Sequence, residues 1–323
     1  MRSKWFGVLV IFGLTFPGFA HASATLVFSG DVMLGRSVRD QINRRGGGNG
    51  AWVTANLAKV FRQADLAFVN LESPFLAGSA SSQEMIFRAD PKHVTALTGA
   101  GIDVVSFANN HSRNQGSAGI QATVDLLQKN RILVAGAGST SKVAYAPRFF
   151  QAGAVPVAVL AYTYGERVLT TNIQKTTIAN VDIWLMQAEV KKVRATGRFV
   201  VVSLHAGNEY TVVPNSLQKT FAHAAVDAGA DLVIGHHPHW VQPVEKYKGK
   251  HILYSLGNLV FDQTWSKNTQ EGAVARVTVS DRRQVTLEVL PVKIERTSQP
   301  RFMSASEAKP VLQRMLVPIS GKL

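Results

Sequence analysis

Cysteine is absent from the 323 residues. That excludes thiolate metal ligands, cysteine nucleophiles, disulfide cross-links and a cysteine-borne lipid anchor, so any metal must be held by His, Asp, Glu or Asn. Acidic residues are few, 21 against 35 Lys and Arg. The formal charge of +14 favours anionic partners, such as a polyglutamate, a phosphorylated polymer or a membrane surface. No basic block is interleaved with aromatics, which argues against nucleic acid. Beyond the first two dozen residues no apolar run approaches the roughly 20 residues of a membrane span. No internal repeat and no long linker divide the chain. The 46% hydrophobic content supplies a core for one large domain.

The N-terminus reads as a secretory leader. Arg2 and Lys4 precede the apolar run Phe6–Phe16, which is interrupted at Gly13 and followed by Pro17. Ala20-His21-Ala22 is a small-residue cleavage pattern, so residues 1–22 are expected to be a signal peptide cut near Ala22/Ser23. The mature domain, 23–323, is then expected in the periplasm or outside the cell. Arg44-Arg45 beside Gly46-Gly47-Gly48 lacks the strand–loop–helix context of a phosphate motif and reads as a loop.

Six short apolar, β-branched-rich runs end in polar residues. Thr25–Ser29 ends in Gly30-Asp31, Leu66–Val69 in Asn70-Leu71-Glu72, and Val104–Phe107 in Asn109-Asn110-His111. Phe199–Leu204 ends in His205 with Glu209 close behind. Leu232–Ile234 ends in Gly235-His236-His237-Pro238-His239, and Ile252–Leu256 in Gly257-Asn258. Helical stretches separate several of these runs. Asp90-Pro91 is an N-cap with proline at the first helical position, opening a helix that stops near Gly99. Gly119–Asn130 carries Ile120, Val124 and Leu127 at helical spacing. Pro214-Asn215 opens a helix with Leu217, Phe221 and Ala225 on one face, closing at Gly229. Strands alternating with helices predict an α/β fold with ligands gathered outside the carboxyl ends of the strands. Residues 272–323 read as a strand pair, Ala273–Val279 and Gln284–Val292, and a last helix near Ser304–Met315, appended to the same domain.

A two-metal hydrolase needs carboxylates, an amide oxygen and imidazoles around two cations roughly 3.5–4 Å apart. Asp31, Glu72, Asn110, His205, His237 and His239 supply that set. The expected cofactor is one or two divalent cations, with Mn, Fe or Zn suiting such ligands. Asp31 and His111 are the catalytic candidates; His111 follows Asn110 and could act as an imidazolium donor to a leaving group. Each residue alone has a plainer explanation: Asp31 as a turn residue, Glu72 as a loop acid, Asn110 as a helix cap, His205 as structural. Their convergence at separate strand ends favours one shared site. His93 and His223 fall on predicted helix surfaces and His251 ahead of a strand, outside that site.

The motifs Gly-Asp-Val-Met-Leu-Gly-Arg (30–36), Asn-Leu-Glu-Ser-Pro (70–74), Ala-Asn-Asn-His (108–111), Ser-Leu-His (203–205), Gly-His-His-Pro-His (235–239) and Tyr-Ser-Leu-Gly-Asn (254–258) resemble the CapA family of poly-γ-glutamate capsule-synthesis proteins. The resemblance runs over about residues 25–265. It implies a four-layer metallophosphoesterase-like sandwich, two β-sheets flanked by helices, and a role in making, exporting or tethering γ-linked polyglutamate. It also implies an anionic polymer as partner, poly-γ-glutamate or a phosphorylated envelope component, together with capsule-machinery proteins. Arg36, Asn70, Glu209, Tyr210, His236 and Asn258 within or beside these motifs become substrate-binding candidates. The parent superfamily places a His two residues after its first Asp, whereas Met33 follows Asp31 here, and Glu72 replaces a bridging Asp. One tight and one loose metal position are therefore expected. Ala206 stands where the family has Trp and Asn114 where it has Asp, changes expected to open the pocket or alter its charge.

Two functions fit these residues. One is a metal-dependent hydrolase of a phosphoester or of an amide in a γ-glutamyl polymer. The other is a module that keeps the fold to bind an anionic chain without turnover. On export, mass spectrometry of protein recovered from the periplasm or medium should show a chain beginning near Ser23. A full-length chain retained in the cytoplasm would contradict the leader assignment.

Overall fold

The computed structural model describes residues 23–79, 85–164, 177–280, 283–317 and 321–322; the expected signal peptide lies outside them. Near-continuous burial of Ser23–Val32 marks β1, in the middle of the larger sheet. Three short helices, α1 (Arg36–Arg45), α2 (Ala51–Thr54) and α3 (Ala58–Arg62), lead to β2 (Leu66–Leu71). A 3-10 turn at Pro91–Val94 and α4 (Thr95–Ala100) precede β3 (Val104–Ser106), and α5 (Gly116–Lys129) precedes β4 (Leu133–Ala135). These four strands pair in parallel, as strands joined by helical crossovers do.

The chain then crosses to a second sheet through β5 (Ala137–Gly138), α6 (Ser141–Tyr145), β6 (Arg148–Ala152), β7 (Val155–Thr163) and β8 (Thr177–Ile178). There, α7 (Ile183–Arg194), β9 (Phe199–His205), α8 (Ser216–Ala228) and β10 (Leu232–His236) alternate, ahead of the hairpin β11 (Val244–Tyr247) and β12 (Lys250–Leu253). The last elements are β13 (Asn258–Val260), β14 (Glu271–Ser280), β15 (Val285–Ile294), β16 (Pro300–Phe302) and α9 (Ala305–Arg314). The larger sheet has the order β16-β15-β14-β1-β2-β3-β4, with β13 also pairing β1. The smaller runs β11-β12-β10-β9-β7-β6, and β5 with β8 forms a separate ribbon.

Alternation along β9 shows how the layers are held. Val201 points into the core shared by the two sheets, while Val200 and Val202 join a second core with Met186, Val190 and Phe221 of α7 and α8. Helices α1 to α5 cover the larger sheet with Val38, Ile42, Phe61, Leu97 and Ile120. The result is helix–sheet–sheet–helix. Each fully buried aliphatic or aromatic side chain contributes about 1.5–3 kcal/mol to this packing.

Most helix boundaries follow their capping chemistry. Asp90 accepts a hydrogen bond from the Lys92 N–H ahead of Pro91, and Asn215 closes a capping box with Gln218. The α4 helix runs past Gly99 and stops at Gly101, whose φ of 81° suits glycine. Several expectations are corrected. The strand pair after residue 272 is not appended, because β14 lies along β1 and continues the larger sheet. Leu217 stays 39% exposed, since the buried face of α8 runs through Gln218, Phe221, Ala222 and Ala225. His93 is fully buried, with Nε2 3.2 Å from Asn43 Oδ1, and His251 lies inside β12. The Arg44–Gly48 stretch is a helix end, with Gly46 as the C-cap of α1.

One of the closest strand approaches sits beside the site. A Cβ on Gly30 would lie 1.9 Å from the Gly257 carbonyl oxygen. That approach lets the Asp31 N–H reach Gly257 O at 3.0 Å and sets Asp31 in register with Asn258. Gly30→Ala is therefore expected to lower stability by about 1–3 kcal/mol, the usual cost of overpacking, measured by urea unfolding. An unchanged midpoint would show that β1 and β13 can separate freely.

Candidate metal centre

Register places the polar strand ends together. Asp31 of β1 is flanked by Asn70 of β2 and Asn258 of β13, while His205 of β9 pairs with His236 of β10. Both sheets thus feed one point. Asp31, Glu72 and His205 are fully buried and each offers a ligand atom within 4.8 Å of the others. Asn70 Nδ2 ties them, donating to Asp31 Oδ1 at 2.9 Å and Glu72 Oε1 at 3.3 Å, and lying 3.3 Å from His205 Nδ1. His205 Nε2 is 2.9 Å from Asn110 Oδ1.

The loop after β10 supplies the remaining imidazoles. His237 and His239 adopt φ of 97° and 57°, a strained left-handed backbone around Pro238. The His237 N–H donates to Asp31 Oδ2 at 3.3 Å, and its ring lies 4.7 Å from that of His205. Asn258 donates from Nδ2 to Thr269 O and Gln263 Oε1, so its Oδ1 is the acceptor facing His239 Nδ1 at 2.9 Å. The proton thus sits on Nδ1 of His239 and the lone pair on Nε2, the arrangement of a histidine oriented to bind a metal.

Charge in this centre is unbalanced. Burial pushes Asp31 up, but the close approach of the His236 ring, with His239 and the Asn70 amide adding to it, outweighs this and holds the carboxyl below its usual range. Burial and then the neighbouring Asp31 charge raise Glu72 well above the usual range. Burial, followed by His237, drives His205 well down. Glu72 Oε2, His237 Nδ1 and His236 Nε2 are buried without a hydrogen-bond partner. Unsatisfied buried acceptors beside two carboxylates are what a bound cation would satisfy. Asp31, Glu72 and His205, with His237 and His239 beside them, fit a divalent ion.

The candidates occupy different positions. Asp31, Glu72, Asn110, His205, His237 and His239 come together. His236 is fully buried with Nδ1 3.3 Å from Asp31 Oδ1, so it props the carboxylate from behind rather than facing a substrate. Asn70 and Asn258 are likewise enclosed and act through their neighbours. Arg36 pairs with Asp262 and lies over the Phe87 ring at 4.7 Å. Glu209 and Tyr210 stand half-buried at the rim.

His111 does not carry an imidazolium here. Asn114 Oδ1 accepts from the Phe87 N–H, which identifies it as the oxygen, and His111 Nδ1 lies 2.9 Å from it. His111 is thus a neutral Nδ1–H tautomer with its lone pair on Nε2. Burial outweighs the Asn114 hydrogen bond and lowers its pKa to about 4. Phe87 stacks on the ring at 3.8 Å. Ala206 packs in the core beneath α8, so it does not widen the mouth. Sequence reasoning missed Asn109, which donates to Leu71 O at 2.7 Å and accepts from the His111 N–H at 3.1 Å. Its place in the Asn-Asn-His run was the available signal. Phe87, isolated in a loop, offered none.

Two sheets between helical layers give the chain a metallophosphoesterase-like fold, with carboxylate, amide and imidazole donors at the strand ends. The fold is similar to that of NAD nucleotidase (NadN) from Haemophilus influenzae, with a TM-score of 0.50 and 11% identity over 91% of this chain and 56% of that one. The bacterial capsule synthesis protein family PGA_cap matches residues 25–263. Capsule biosynthesis protein CapA of Bacillus anthracis is 31% identical over 301 residues, 90% of this chain and 72% of the relative. PGA biosynthesis protein CapA of Bacillus subtilis is 30% identical over 89% of this chain and 76% of the relative. The chain belongs to the PGA_cap family of bacterial capsule synthesis proteins.

The charge imbalance predicts a sign reversal. A carboxyl whose folded pKa is raised costs the fold stability as pH rises through its range. At pH 7.5 Glu72→Gln should therefore melt higher than wild type after chelation. With Mn, Fe or Zn at about 100 times the dissociation constant, wild type should gain about 2.7 kcal/mol and the variant much less. His223→Ala, distant from the centre, should retain the full gain. Equal metal-induced shifts in wild type and Glu72→Gln would remove Glu72 from the ligand set.

Proposed function

We propose that the chain is an exported accessory protein of γ-linked polyglutamate or capsule synthesis, and that its buried centre makes it a divalent-metal-dependent hydrolase. The observation that carries this reading is the meeting of Asp31 and Glu72 within 4.8 Å, fully buried, with Glu72 Oε2 unpartnered. A buried carboxylate pair without compensation is costly, so its retention argues for a cation there. Similarity to capsule and PGA biosynthesis proteins of two Bacillus species, and to a probable polyglutamine synthesis accessory protein of Mycobacterium tuberculosis, supports the polymer context. Asp31, Glu72, His205, His237 and His239 would hold the metal, with Asn110 beside His205. Divalent cations there would lend Lewis acidity to a phosphoryl or carbonyl oxygen and raise the acidity of water.

The chain's own groups do the rest. Asn70 and His236 fix the Asp31 carboxylate, and Asn258 fixes the His239 tautomer. His111, neutral with Nε2 as acceptor, can take a proton during the reaction and return it to a leaving group. Phe87 and Asn114 hold its ring plane.

Met33 favours the second reading, a polymer-binding module without turnover. It is fully buried, and its Sδ accepts from the Gly35 N–H at 3.0 Å in place of a ligand. Metal-loaded protein assayed on phosphodiesters and γ-glutamyl amides separates the two. Turnover lost on chelation, reduced about 10²–10⁴-fold in His111→Ala with metal content kept, supports the hydrolase. Met33→His should raise metal occupancy and rate together. Metal-loaded wild type and Met33→His both inert on every substrate, with γ-linked polyglutamate still bound, would establish the binding module.

A further inference from the structure

The mouth of the centre carries an aromatic ridge whose outer rings, Tyr210 and Trp265, the metal chemistry does not use. It starts at His239, which is 2% exposed, passes to half-buried Tyr210 with ring centroids 5.8 Å apart, and ends at Trp265, which is 63% exposed. Tyr210 and Trp265 meet edge to face at 4.9 Å. Exposing an indole to this extent costs apolar hydration, and large exposed aromatics beside a site mark binding surfaces.

The ridge is built, not incidental. Tyr210 holds a left-handed backbone at φ 59°, pinned by its N–H donating to Pro238 O at 2.9 Å. Its hydroxyl accepts from Gln263 Nε2 at 3.1 Å, and Gln263 Oε1 accepts from Asn258 Nδ2 at 3.1 Å. Asn258 in turn orients His239. One hydrogen-bonded chain therefore fixes both the metal-facing imidazole and the first ring of the ridge. Val212 and Val213, 37% and 66% exposed, follow Tyr210 on the same loop.

This shape selects its occupant. The 81° angle between Tyr210 and Trp265 provides no two-sided sandwich for a flat base or sugar ring, which could stack on one ring but not use both. A flexible hydrocarbon segment can lie across both. A γ-linked glutamate repeat has two methylenes in its backbone and a carboxylate off it, and spans roughly 6 Å when extended, from standard bond lengths. Ring spacings of 5.8 and 4.9 Å carry the ridge outward by between one and two such repeats.

We propose that Tyr210 and Trp265 form a subsite for the backbone methylenes of a γ-linked glutamate chain, one to two repeats out from the metal centre. This rests on the polymer reading above and adds to it a position and a chain-length requirement. Monomeric glutamate engages only the centre. The third linked unit is the first to cover Trp265, and burying its two methylenes should tighten binding about ten-fold.

Calorimetry of the metal-loaded full chain tests this with γ-linked oligoglutamates of one to five units and with inorganic phosphate. Wild type should gain affinity up to the third or fourth unit and then level off. Trp265→Ala should lose that gain, about ten-fold for the tetramer, and Trp265→Phe should recover most of it. Both should bind metal and phosphate as wild type does. Trp184→Ala, an indole 83% exposed on α7, should behave as wild type throughout. Equal length dependence in wild type and Trp265→Ala overturns the subsite while leaving the polymer reading intact. No oligomer binding by wild type overturns both.

Discussion

Repulsion between two enclosed carboxylates governs this structure. Asp31 and Glu72 each offer an oxygen within 4.8 Å of the other, and both are fully buried. At an effective dielectric of about 20, two full charges at that separation repel by at least about 3 kcal/mol. The fold manages the conflict asymmetrically. Asp31 receives the His236 ring, the Asn70 amide and the His237 N–H, and stays ionised. Glu72 receives one weak amide contact and is driven toward its neutral form. Stability and metal affinity are therefore linked through one residue.

Everything around the pair serves to hold it in place. The carbonyl of Gly257 approaches Gly30 so closely that no side chain fits between β1 and β13. That contact brings Asn258 alongside Asp31, and Asn258 in turn sets the proton on His239. On the other flank, Asn109 clamps the end of β2 to the loop that carries Asn110 and His111. The amides act as cross-ties: each donates toward a carboxylate or carbonyl and accepts from an N–H, a double role that a carboxylate or an ammonium could not fill. Asn70, Asn109 and Asn258 are all fully buried, and an unpaired amide there would cost about 1–3 kcal/mol.

The same chain of contacts couples the chemistry to the surface. Gln263 links Asn258 to Tyr210, so the ring that begins the ridge is fixed by the residue that fixes His239. Arg36 is held by Asp262 and lies over the faces of Phe87 and Phe261, so the segment that carries Gln263 also anchors the start of α1.

Local signals in the sequence determined a good deal. Apolar runs ending in Asp31, Glu72, Asn110, His205 and His237 announced parallel strands and a shared site, because carboxyl ends of such strands must meet. The helix starts at Asp90 and Asn215 were legible because capping depends on adjacent residues. Only the tertiary structure decided which polar residue faces the cavity and which supports from behind. His236 and His237 are neighbours in sequence, yet strand alternation and the left-handed turn at His237 send them to different tasks. The state of His111 was likewise hidden, since it is set by Phe87 from a separate loop, by Asn114 three residues on, and by burial that no sequence pattern reports. The strands β14 and β15 looked like an appendix because pairing partners distant in sequence leave no local trace; β14 pairs antiparallel with β1, and β15 extends the same sheet beyond it. Short-range chemistry was written in the residues themselves, whereas register, burial and protonation came from contacts made across the chain.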